Sequence, residues 1–99
     1  MLNLTKQRED RKLTVKLEGR LDTMTAPQLE DALHEAFDGV EELLLDLTAL
    51  EYISSAGLRV LLSTQKKMNR LGTMKLTGVN DTIMEIFEIT GFCDILTIE

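Results

Sequence analysis

The sequence predicts an α/β domain with a mixed sheet and helices packed on it, and three observations carry that reading. Leu13, Val15 and Leu17 alternate with Lys12, Thr14 and Lys16, the period of two that gives a strand one wet and one dry face. Leu43, Leu44, Leu45 and Leu47 form a nearly unbroken apolar run, the composition of a central strand covered on both faces. Apolar residues recurring at three-and-four spacing before and after that run predict helices, and helical crossovers force the strands they join to lie parallel.

Taken in order, Leu2 and Leu4 predict a short first strand that folds back through the polar turn QRED onto the second, an N-terminal antiparallel hairpin. In GRLDTMTAPQLEDALHEAF, Thr25 and Gln28 have capping-box spacing and Pro27 falls in the first helical turn, where its missing N–H costs nothing. Leu29, Ala32, Leu33, Ala36 and Phe37 then form one apolar face, and Gly39 ends the helix. His34 falls on the polar side, and no second histidine exists to share a metal.

After the leucine-rich strand, which Asp46 interrupts near its predicted C-terminal end, Leu58, Leu61, Leu62, Met68 and Leu71 set out a second helix stopped by Gly72. Met74 and Leu76 alternate with Lys75 and Thr77 as a further strand. Asn80 or Asp81 caps a third helix with an inward face of Ile83, Ile86 and Phe87 and Gly91 as its stop. A last strand is expected over roughly 94–98. In sheets of this kind the loops after the C-terminal strand ends form the working surface.

Ninety-nine residues suit a single domain spanning 1–99. The net charge of −6, from 17 acidic and 11 basic residues, disfavours nucleic acid and anionic lipid as partners, because both need a concentrated basic face. Lys66, Lys67 and Arg70 read as the solvated face of a helix. No apolar run approaches the roughly 20 residues of a membrane span, and no secretion signal opens the chain, so a cytoplasmic protein is expected. The lone Cys93 reads as a small buried thiol.

Catalysis finds little to use. There is no phosphate-cradling loop, no nucleophile with a base, and no metal-ligand spacing, so neither an enzyme nor a cofactor is expected. Asp22 and Asp46 both follow strand-like residues and could reach one edge together with Ser54 and Ser55, or could simply form turns. The serines stand at the start of a helix in EYISSAGLRVLL, where one of them can cap it. The same place suits a phosphorylation site, since free N–H groups and the positive dipole end tolerate a phosphate, and the two roles are compatible.

The run DLTALEYISSAGLRVLL resembles the signature of bacterial anti-sigma factor antagonists, the STAS domain family, whose Asp-Ser-Ser/Thr-Gly-Leu element opens a helix. GRLDT resembles the family's Gly-x-Leu-Asp element, and the order of strands and helices matches over essentially the whole chain. The resemblance implies a mixed sheet of four or five strands and a phospho-switch that binds an anti-sigma factor with serine kinase activity, with a serine phosphatase reversing the modification. It places the acceptor on Ser55, with Asp22 beside it, and a partner-binding edge of Asp22, Thr23, Ser54, Ser55, Ala56, Gly57 and Leu58. Ser54 stands where the family often has aspartate, which leaves it as a second candidate acceptor, and Ala56 replaces the motif's second hydroxyl. A monomer or weak dimer is expected. STAS-like domains also serve as accessory subunits of transport systems and as scaffolds in stress-sensing complexes, the alternative reading.

Overall fold

The computed structural model describes residues 1–99. Strand β1 (Leu2–Glu9) pairs antiparallel with β2 (Lys12–Leu21), β2 pairs parallel with β3 (Glu42–Ile53), and β3 pairs parallel with β4 (Thr73–Thr77), so the sheet order is β1-β2-β3-β4. Helix α1 (Ala26–Ala36) connects β2 to β3, and α2 (Ser55–Leu71) connects β3 to β4. Helix α3 (Asp81–Thr90) follows β4. These crossovers give the mixed α/β architecture expected from the sequence.

The hairpin is longer than Leu2 and Leu4 alone suggest. Its turn tightens to Asp10 and Arg11, with Asp10 at φ 56, and QRE belongs to the strand. Those residues are polar in keeping with their place on an edge strand, where Lys6 to Glu9 are all exposed.

The leucine-rich strand corrects an expectation. It lies centrally, between β2 and β4, but Leu43, Leu45 and Leu47 are buried while Leu44 and Asp46 are only half-buried. The same alternation holds for Leu13/Val15/Leu17 on β2 and Met74/Leu76 on β4, so the helices cover one face and leave the other wet. On the wet face Lys16 pairs with Asp46, and Asp46 with Thr77. The core of Leu17, Leu45, Leu61, Met68, Leu76 and Phe87 fills the covered side.

β3 also runs six residues past Leu47, because it is bulged. Between the pairs Lys16↔Asp46 and Glu18↔Ala49 it advances three residues against two on β2, and between Gly19↔Leu50 and Arg20↔Tyr52 it advances two against one. Each extra residue resets the alternation, so Leu47, Leu50 and Ile53 all turn inward at a spacing that mimics a helix. Asp46 therefore sits mid-strand, roughly 25 Å along the chain from Ser54, and shares no edge with the serines.

Two smaller expectations also change. Residues 92–94 form a 3-10 turn, and the fifth strand shrinks to a single parallel bridge, Leu76↔Ile98, held by Leu76 N–H to Thr97 O and Glu99 N–H to Leu76 O. Leu71 is 43% exposed at the end of α2, where the chain has already left the core.

Candidate functional site

β2 and β3 end side by side. Leu21 and Ile53 pair in register, and the Ser54 N–H donates to the Leu21 carbonyl at 2.9 Å. Asp22 and Ser54 are thus the first residues beyond two adjoining strand ends, and the segments that follow them build one edge at the C-terminal side of the parallel strands.

On the first segment, Asp22 closes a capping box one turn earlier than Thr25 and Gln28 predict. Its Oδ1 accepts the N–H groups of Met24 (3.0 Å) and Thr25 (3.1 Å), while its own N–H donates to Thr25 Oγ1 at 2.9 Å. The Thr25 hydroxyl donates to the Arg20 carbonyl at 2.8 Å, which ties the turn back to β2. Gln28 takes no part in capping because its amide donates to the Leu2 carbonyl at 3.0 Å, holding the start of β1. Partial desolvation pushes the Asp22 carboxyl up, but the hydrogen bonds from Thr25 and Met24 outweigh it and hold it below the ordinary aspartate value. Thr23 and Met24 stand exposed on this turn, Met24 at 87%.

On the second segment only Ser54 separates β3 from α2. Ser54 is extended (φ −99, ψ 175) and its hydroxyl oxygen accepts the Gly57 N–H at 3.4 Å, so Ser54 is the helix cap. Ser55 is the first residue of α2, is exposed, and its hydroxyl makes no hydrogen bond within the protein. The two serines, which the sequence leaves interchangeable as caps, thus divide into a structural and a free hydroxyl. Ala56 is half-buried, and Gly57 and Leu58 are buried beneath this edge, Leu58 at 7% exposure.

Gly57 is required by proximity. A Cβ at this position would stand 2.7 Å from Leu21 Cγ and 2.9 Å from Ile53 Cγ1, so the absence of a side chain lets the first turn of α2 rest directly on the two strand ends. Between α1 and α2, next to Ala56, a groove of about 360 Å³ has Ala26, Pro27 and Val60 along it and Glu30 and Arg59 as its charged members. The structure gathers Asp22, Thr23, Ser54, Ser55 and Ala56 at one edge. No hydrogen bond joins the Asp22 carboxylate to either serine, its acceptor contacts being spent on its own turn.

Sequence reasoning missed Arg20 and Tyr52. The Arg20 guanidinium lies 4.3 Å from the centre of the Tyr52 ring, and its Nε is 3.9 Å from Asp22 Oδ2. The cue was obscured because Arg20 and Tyr52 become cross-strand partners only through the second bulge of β3.

The STAS domain model matches residues 3–99. The chain belongs to the STAS domain family. Among relatives of this domain, the anti-sigma-B factor antagonist of Staphylococcus aureus is 34% identical over 97 residues, covering 96% of this chain and 90% of that protein. A crystal structure of an anti-sigma factor antagonist from Mycobacterium paratuberculosis superposes with a TM-score of 0.89 at 24% identity, covering 99% of this chain and 85% of that one. The Bacillus cell fate determinant SpoIIAA in its phosphorylated form shares this STAS fold with a TM-score of 0.75 at 19% identity, covering 100% of this chain and 91% of its own. No helix of this STAS domain is long and apolar enough to cross a membrane.

Proposed function

We propose that this STAS domain is an anti-sigma factor antagonist switched by phosphorylation of Ser55. One observation carries the acceptor assignment: Ser55 offers an exposed hydroxyl with no partner, while the neighbouring Ser54 hydroxyl is committed to capping α2. The antagonist role is supported by the S. aureus relative, and a phosphorylated form exists for SpoIIAA, which shares the fold.

Unmodified, the edge formed by Asp22–Thr23 and Ser54–Ala56 docks on an anti-sigma factor with serine kinase activity in the cytoplasm, and the sigma factor is released. The kinase then transfers the γ-phosphoryl group of ATP to Ser55 Oγ. A P–O bond to serine forms, the bond to the β-phosphate bridging oxygen breaks, the hydroxyl proton passes to a base on the kinase, and ADP leaves. A serine phosphatase reverses this by attack of water on phosphorus, returning the hydroxyl and inorganic phosphate. This chain supplies only the acceptor, as a monomer or weak dimer.

The phosphate adds about −1.5 to −2 charges at the centre of the docking edge, where contact with the partner would desolvate them. The coupling typical of such devices, about 1–3 kcal/mol, changes affinity about 5- to 150-fold. The start of α2 suits the new charge, because its first turn contains no acidic residue to repel it and the dipole end there is positive.

The test is calorimetry of wild type, Ser55→Ala and Ser55→Asp against the candidate kinase, with phosphosite mapping after incubation with ATP. Ser55→Ala should bind regardless of ATP, and Ser55→Asp should bind weakly while keeping its circular dichroism spectrum. Phosphate found on Ser54 alone would move the switch by one residue. No phosphate on either serine, with equal binding by all three proteins, would overturn the switch.

A further inference from the structure

From the placement of Arg59 we infer that this residue is the intramolecular partner of a phosphate on Ser55. The inference builds on the acceptor assigned above and adds a residue that neither the family motif nor the docking edge includes.

Arg59 lies four residues after Ser55 on α2, and both are exposed. Residues at this spacing are neighbours on a helix surface, with Cβ atoms about 5–6 Å apart. Long helical side chains can lean back over the preceding turn, which puts Ser55 within reach of the Arg59 guanidinium that in the unmodified chain lines the α1–α2 groove. An acidic group N-terminal to a basic one at this spacing is also the favourable order.

The unmodified chain leaves this cation without a partner. The three ion pairs are Arg11–Glu41, Arg20–Asp22 and Lys75–Glu99, so Arg59 makes none, although Glu30 lines the same groove. Arg59 is the fifth residue of α2, and the turn before it contains no acidic residue to pair with it. A phosphate on Ser55 supplies the missing counter-charge, with oxygens suited to the planar guanidinium fork. The modified chain thereby withdraws Arg59 from the α1–α2 groove, so one event both adds negative charge to the docking edge and removes the groove's only cation.

The pairing is tested on the full chain carrying phosphoserine at position 55, installed during translation so that no kinase is needed. The second ionisation of the phosphate is followed by phosphorus NMR against pH. Arg20, Asp22, Glu30, Glu51 and the Met1 ammonium beside Asp22 are further charged groups at this end of the domain and act on the titration in every variant. In Arg59→Gln the phosphate pKa should rise by roughly 0.2–0.4 unit, Arg59→Lys should restore part of the difference, and Arg70→Gln, at the far end of α2, should match the unsubstituted phosphoprotein. Identical titrations with Arg59 and with Gln at position 59 would overturn the pairing. If the pairing is seen but the kinase leaves Ser55 unmodified, the switch proposed above fails while the assignment of Arg59 stands.

Discussion

Gly57 rests on Leu21 so closely that a single added carbon would lie 2.7 Å from Leu21 Cγ and 3.0 Å from its Cδ2. Leu21 and the other close neighbour, Ile53, are buried branched side chains at strand ends, and Leu21 is completely inaccessible. Relief therefore has to come from moving the start of α2. Gly57→Ala should destabilise the domain by about 1–3 kcal/mol, as overpacking of a well-filled site does, despite alanine's better helix propensity. Urea denaturation measures it, and a variant at least as stable as wild type would contradict the contact.

The division of labour between the serines gives a contrast in stability. Ser54→Ala removes the acceptor for the Gly57 N–H and should cost about 0.5–2 kcal/mol, whereas Ser55→Ala, which breaks no hydrogen bond, should change stability by less than about 0.5 kcal/mol. Parallel thermal melts decide the point: equal losses, or a larger loss at position 55, would reverse the assignment of the cap.

Asp22 ties stability to acid pH. Its carboxyl is held below the ordinary value of 3.8 in the folded chain, so the folded state prefers the ionised form. That contribution is complete above the unfolded value and is lost as pH falls from about 4 through the lower folded value. Asp22→Asn, which keeps an acceptor oxygen for the turn, should flatten the stability curve below pH 4. Asp46, lowered mainly by the hydroxyl and N–H of Thr48, contributes in the same direction, so some acid dependence should survive. An unchanged acid limb would show that the Asp22 charge is not coupled to folding.

Gln65 is buried within α2, and its Oε1 has no partner while its Nε2 donates to Asn69 Oδ1 at 2.8 Å. A buried acceptor left unpaired costs about 1–3 kcal/mol, so Gln65→Met, of similar volume, should raise stability by around 1 kcal/mol. A lower denaturation midpoint would mean that the side chain contributes more than its bonds suggest.

Leu45, with no exposed surface in the middle of β3, should cost about 2–5 kcal/mol when cut back to alanine. Lys66→Ala on the exposed face of α2 should stay within about 0.5 kcal/mol. Equal midpoints for the two would contradict the assigned faces.

Most of the fold was legible because its elements are locally consistent: Leu13, Val15 and Leu17 alternate, Leu29 and Leu33 keep helical spacing, and Asn80 and Gly91 bound α3 as their chemistry requires. The wet face of β3 was not legible, since Leu44 adds an apolar residue on the solvent side and makes an alternating strand look continuous. The last third of β3 was hidden by its bulges. At the edge, the sequence located both serines, but the choice between them depended on which hydroxyl reaches the Gly57 N–H, and so on where the backbone passes from extended, as at Ser54 with ψ 175, to helical. The capping box went to Asp22 because Gln28 was claimed by a carbonyl 26 residues away, a competitor that local spacing cannot reveal.

The parallel register between β2 and β3 matches residues about thirty positions apart, Leu13 with Leu43 and Leu21 with Ile53. The β1–β2 hairpin, by contrast, closes around a two-residue loop. Closing the longer loop costs chain entropy before any contact compensates it, so the hairpin should form early and the β2–β3 seam should limit the rate of folding. Asp22 and Ser54 come together only across the end of that seam, so a chain emerging from the ribosome cannot present the proposed docking edge until residues well past 53 have been made and the sheet has closed.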